Sequence, residues 1–159
     1  MTKIHLETFI NAPIERVFDL ARSIDLHKLS AKGTKEEVIG GRITGLIELN
    51  ETVTWRAKHF GIFQNLTVQI IKMDRPALFA DRMLNGTFST MEHKHIFESL
   101  ESGTKMTDIF EFTSPFSIFG KLANFLFLKK YMTKFLEDKN KELKKVAESD
   151  AWKQIIASK

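Results

Sequence analysis

From Lys3 to Ile10, the residues Ile4, Leu6 and Thr8 alternate with His5, Glu7 and Phe9, the period of two expected of a strand. Asn11-Ala12-Pro13 stops that run, and the preset φ of Pro13 suits the first turn of a helix. Ile14, Val17, Phe18 and Ala21 then recur at helical spacing, which predicts an amphipathic helix from Pro13 to Ser23. A second short helix is expected from Asp25 to Leu29, with Asp25 as its cap.

After Ser30 the pattern changes to alternating runs punctuated by turn residues. Strands are expected at Glu36–Ile39, Gly45–Leu49, Thr52–Phe60, Phe63–Met73, Leu78–Leu84, Thr90–Phe97 and Thr104–Phe112. Gly61-Ile62, Asn85-Gly86 and Glu101-Ser102 are the expected hairpin turns, and Asp74-Arg75-Pro76 ends the longest run. Consecutive hairpins of this kind predict an antiparallel sheet with one face covered.

Beyond Thr113-Ser114-Pro115 the period returns to 3.6, and one long helix is expected from near Ser117 to near Glu148, burying Phe125, Met132 and Phe135. Its first half is apolar nearly all round (Phe119, Leu122, Phe125, Leu126, Phe127, Leu128), which predicts wide burial. Its second half narrows to Leu143 and Val146 among lysines, which predicts greater exposure.

Charge refines this picture. The net charge is +4, but residues 121–159 hold ten Lys against five acidic residues, while the rest holds 14 basic against 15 acidic. The excess therefore belongs to the last helix in an ordinary helical pattern, a solvated face rather than a nucleic-acid surface, and no nucleic-acid partner is expected. The absence of Cys excludes disulfides, thiolate metal sites and a Cys nucleophile. No apolar run approaches the roughly 20 residues of a membrane span, and the N-terminus lacks a signal-like apolar stretch. A single cytoplasmic domain over residues 1–159 is the expectation. Fourteen Phe against two Trp and one Tyr suit apolar space that needs no hydrogen-bond partner, whether core or pocket.

The order strand, two short helices, a run of strands and a long last helix resembles the START / SRPBCC superfamily. This is the helix-grip group that includes birch-pollen-allergen-like and polyketide cyclase-like proteins. Phe9-Ile10-Asn11-Ala12-Pro13-Ile14-Glu15-Arg16-Val17-Phe18 is similar to its strand-into-helix step. Thr54-Trp55-Arg56-Ala57-Lys58-His59-Phe60-Gly61 is similar to the T-W-R-A-x-H-F-G strand of a bacterial subgroup. Met91–Phe97 and Lys105–Asp108 are similar to later strands of that subgroup. The resemblance implies an α+β fold, a curved antiparallel sheet of about six or seven strands gripped by the C-terminal helix. It also implies a cavity between the two, for a small apolar or amphipathic molecule.

Strand parity then nominates the lining. With Phe97 and Phe110 inward, His93, His95 and Asp108 share their face, and a Glu101-Ser102 turn sets His95 opposite Asp108. Such a pair favours the imidazolium where attraction outweighs burial. With Gly61-Ile62 as turn, His59 opposes Gln64, Ala57 opposes Leu66 and Trp55 opposes Val68. The strand after Pro76 adds Phe79, Asp81 and Met83. The expected cavity therefore has apolar walls (Trp55, Leu66, Phe79, Phe97, Phe110) and polar groups (His59, Gln64, Asp81, His93, His95, Asp108).

His93 and His95 have the spacing of a metal pair, but local sequence supplies no third ligand, so no metal or other cofactor is expected. No nucleophile elbow, P-loop, dinucleotide fingerprint or H-E-x-x-H is present. Binding of a hydrophobic ligand is the first functional expectation. A cyclase or dehydratase using the His–Asp pair as acid and base is the alternative, and a membrane- or protein-interaction domain using the Phe-rich helix is a second one.

Overall fold

The structure is a computed structural model; it describes residues 1–114 and 121–156, and of residues 32 and 121–125 the backbone only. Seven strands form one antiparallel sheet in the order β1-β7-β6-β5-β4-β3-β2. The strands are β1 (Thr2–Ile10), β2 (Glu37–Gly41), β3 (Thr52–His59), β4 (Ile62–Asp74), β5 (Leu78–Asn85), β6 (Thr90–Leu100) and β7 (Gly103–Thr113). Helices α1 (Ile14–Ala21) and α2 (Ile24–Ser30) follow β1, and α3 (Lys121–Ala147) crosses the covered face. A short α4 (Trp152–Ile156), with no counterpart among the elements expected from the sequence, follows. This is the α+β helix-grip architecture.

The β6–β7 hairpin keeps the register expected of it. Phe97 pairs with Met106, His95 with Asp108 and His93 with Phe110, without a bulge from Thr90 to Leu100. Its turn needs Gly103, whose φ is 143° and whose absent Cβ would stand 2.2 Å from the Ile10 carbonyl oxygen. Because β1 pairs with β7 along its whole length, the side chains of Ile4 and Phe110 are brought into the same core.

Several expectations are corrected. The β3–β4 turn is Phe60-Gly61, both with positive φ (53° and 79°), not Gly61-Ile62. His59 therefore pairs with Ile62, Ala57 with Gln64 and Trp55 with Leu66. The pairing moves by two residues, so every side chain keeps its face. Helix α2 is capped by Ser23, whose Oγ accepts from Leu26 N–H; Asp25 accepts instead from Gly45 N–H. Residues 45–49 are not a strand. They meet Ser23 through a single bridge, and buried Arg22 holds them by donating to the Ile47 carbonyl and to Glu48. Their backbone groups are thereby engaged by the α1–α2 corner rather than by the sheet. Asn85-Gly86 is not a tight turn either: β5–β6 pairing ends at Arg82–Glu92, and residues 86–89 form a wider bend.

The long helix reverses the expected gradient of burial. Leu126 and Phe127, in its first half, are 61% and 59% exposed, whereas Leu136, Leu143, Val146 and Ala147 are buried. The second half is tied to β1, where Asn140 donates to Thr8 Oγ1 and Lys144 to the Phe9 carbonyl. Met132 is buried as expected and Phe135 only half-buried, while the side chain of Phe125 and the segment 115–120 lie outside the described residues. Helix α1 seals one end of the sheet: Phe18, fully buried, meets Phe79 and Phe97 edge-on at 5.5 and 5.3 Å.

Candidate functional site

Between sheet and α3 lies a cavity of about 440 Å³, within the size range of small-molecule sites. Nine of the eleven residues nominated from strand parity line it: Trp55, His59, Gln64, Leu66, Phe79, Asp81, His93, His95 and Phe110. Phe97 does not. It lies two residues past His95, where Phe18 of α1 closes over the sheet, and it belongs to the core. Asp108 does not line the cavity either. It is 1% exposed, behind the rings of His93 and His95.

Asp108 organises one polar cluster. Its Oδ1 lies 3.0 Å from His93 Nε2 and 2.7 Å from His95 Nδ1, and its Oδ2 accepts from Asn140 Nδ2 at 2.6 Å. The His95 contact, though short, lies off the line of a good hydrogen bond. Burial pushes the Asp108 carboxyl up, but the bonds from His93 and His95 outweigh it and hold the group well below the usual carboxylate range.

The imidazolium at His95 was expected only if attraction outweighed burial. Burial, reinforced by the neighbouring His93, outweighs Asp108 and lowers the His95 pKa. The two rings lie 3.9 Å apart, so two positive charges there would face each other. His95 also stacks on Phe79 at 4.3 Å. Opposite His93 on β5 stands Asp81, 4.0 Å from His95 Nε2, with its pKa raised by burial.

A second polar cluster was not foreseen in the sequence. Lys139 of α3 lies 3.1 Å from Glu36 Oε2, while Glu36 Oε1 lies 3.3 Å from His27 Nε2, which Lys139 also contacts. His27 stacks on Trp55 at 4.0 Å. Burial disfavours the Glu36 anion, but the Lys139 charge, followed by His27, holds its pKa far below normal. Lys139 and His27 are both shifted down by burial. Tyr131 was missed as well; its hydroxyl lies 2.7 Å from His59 Nδ1. A signal for α3 did exist. Lys139 and Asn140 interrupt the stripe of Met132, Leu136, Leu143 and Val146, which puts polar groups on the buried face.

The chain matches, over residues 1–148, the family model described as polyketide cyclase / dehydrase and lipid transport. It belongs to that family. Among solved structures, it resembles the Zhui aromatase/cyclase from Streptomyces sp. R1128, with TM-score 0.73 and 14% identity over 92% of this chain and 93% of that one. TTHA0849 from Thermus thermophilus has TM-score 0.70 and 20% identity, covering 89% of this chain and 97% of the other. Ginseng major latex-like protein 151 from Panax ginseng has TM-score 0.66 and 11% identity, covering 92% and 97%. At these identities the likeness carries the fold, which is that of the START / SRPBCC superfamily, and no further property. Among curated proteins, none matches the chain in sequence. No helix among the described residues is long and apolar enough to cross a membrane.

Proposed function

We propose that this protein is a single-domain binder of a small hydrophobic or amphipathic molecule, held in the cavity with its polar end toward His95 and Asp81. The observation that carries this reading is a space of about 440 Å³ walled by Trp55, Leu66, Phe79 and Phe110, into which a few aligned polar groups open. Apolar walls supply affinity through burial, and the sparse polar groups fix orientation. His95 meets the ligand's hydroxyl or carbonyl through Nε2, since its Nδ1 is turned to Asp108 at 2.7 Å.

Native mass spectrometry of freshly purified protein should show a retained small molecule. In titrations, His95→Gln should weaken a fluorescent long-chain fatty alcohol about tenfold, equivalent to about 1.4 kcal/mol, and leave a plain hydrocarbon probe nearly unchanged. Equal weakening of both would reduce the cluster to core structure.

A second reading, a cyclase- or dehydratase-type enzyme, draws support from the family and from one local feature. His95, its pKa lowered, and Asp81, its pKa raised, bring a base and an acid to one cavity wall. Turnover of a cyclisable polyketone that disappears in His95→Ala would favour it over simple binding.

A further inference from the structure

No hydrogen bond joins Asp81 to His95 across the gap between them. His95 Nδ1 lies 2.7 Å from Asp108, and its other ring nitrogen, Nε2, faces the Asp81 carboxylate at 4.0 Å. That separation is too long for a hydrogen bond, and the Asp81 carboxylate accepts none from the described residues; His95 is the one ion-pair contact it makes among them. His93 completes the group, paired with Asp81 across the sheet and tied by its own Nε2 to Asp108. Donor atoms of Asp81, His93 and His95 all lie within 4.8 Å of one another.

We propose that Asp81, His93 and His95 form a binding site for a divalent transition-metal ion of the zinc class, with Asp108 and Asn140 as its outer layer. Two imidazoles and one carboxylate match the ligand chemistry of zinc and its neighbours, whereas magnesium and calcium take oxygen sets. Bonds of about 2.0–2.2 Å at tetrahedral angles hold ligand atoms about 3.3–3.6 Å apart, so binding an ion draws Asp81 and His95 closer than their present 4.0 Å. The outer layer has the carboxylate–histidine–metal form. One carboxylate, Asp108, accepts from His93 Nε2 and lies 2.7 Å from His95 Nδ1, and Asn140 of α3 donates to that carboxylate. Charge agrees as well. Asp81 and Asp108 face two histidines, and the nearby Lys139 is engaged by Glu36, so a dication balances what the protein leaves negative. Three protein ligands leave a coordination position open toward the cavity, where a carbonyl or hydroxyl oxygen of the bound molecule fits.

The site stands without the organic ligand and is tested apart from it. Full-length protein without a histidine tag is stripped with a chelator and titrated with Co²⁺, read by visible absorption, with Zn²⁺ as displacer. Uptake should reach one ion per chain, Mg²⁺ should not compete, and Zn²⁺ should raise the melting temperature. Asp81→Asn should weaken Co²⁺ at least tenfold and abolish the Zn²⁺ shift, while its far-UV spectrum stays unchanged, since the Asp81 side chain holds no hydrogen bond among the described residues. Asp108→Asn should weaken Co²⁺ about 10–100-fold through misoriented rings. No uptake by the wild type, or equal uptake by wild type and Asp81→Asn, overturns the proposal. The fatty alcohol probe, titrated into the same stripped protein, reports the apolar cavity separately. Its binding without Co²⁺ uptake removes the metal alone.

Discussion

The Glu36–Lys139–His27 group and the Asp81–His93–His95–Asp108 group open into the same cavity, and consecutive residues of α3, Lys139 and Asn140, reach into one each. The first is closed: one carboxylate meets one ammonium at 3.1 Å, and both are largely withdrawn from water. The second is open: two carboxylates meet two imidazoles, and Asp81 stands 4.0 Å from its nearest partner. A closed buried pair is a structural commitment, because removing either member strands the other. An open one leaves electrostatic demand for whatever enters the cavity. The contrast separates the part of the pocket that holds the fold from the part that meets a ligand.

The sharpest way to break this contrast is at Lys139. Lys139→Met strands Glu36 and should lower unfolding free energy in urea by about 3–5 kcal/mol, while the double variant Glu36→Gln/Lys139→Met should recover most of it. If the single variant costs nothing, the pair is not closed in the sense argued.

Acid titration gives an intermediate effect. The Glu36 pKa in the folded state is depressed, so its contribution is present above the unfolded value of about 4.3 and is lost as pH falls below that toward the folded value. Lys139 and His27 are the charged partners facing it. The melting temperature of the double variant should therefore fall less steeply than that of the wild type below about pH 4.3.

The smallest effect belongs to the open group. In metal-free protein, Asp81→Asn should change stability by no more than about 0.5 kcal/mol or raise it, since it replaces a mostly covered carboxylate whose only ion-pair contact among the described residues is 4.0 Å away. A loss of several kcal/mol would show that Asp81 is structural after all.

Much of the site was legible from parity and one turn. His93, His95 and Phe110 share a face because β6 and β7 pair without interruption around Glu101-Ser102, and a period of two survives wherever no bulge intervenes. The misread β3–β4 turn did no damage for the same reason, as a slip of two residues leaves Trp55 and His59 inward. Phe97 and Asp108 share the inner face, yet neither lines the cavity. Parity reports a side, not what a helix or a neighbouring ring covers.

The halves of α3 show the other boundary. Hydropathy along one helix favours burying Leu126 and Phe127 and exposing the lysine-rich end, and the structure does the opposite. Local pattern describes what a face would tolerate; which face meets β1 depends on strands more than a hundred residues earlier. Asn140 to Thr8 and Lys144 to the Phe9 carbonyl are such contacts.

Alternation, turn residues and helical spacing were sufficient for the order of elements, the antiparallel sheet and the inward faces of its strands, because these rest on interactions between near neighbours and on periodicity. The three-dimensional fold alone decided that Asp81 stands by His95, that Asp108 is shared by two imidazoles, and that Lys139 finds Glu36 and His27. Those encounters join residues far apart in the chain, and their distances come from sheet register and helix placement together. The chemistry of the cavity lies in those distances, since a carboxylate at 2.7 Å from an imidazole and one at 4.0 Å ask for different partners.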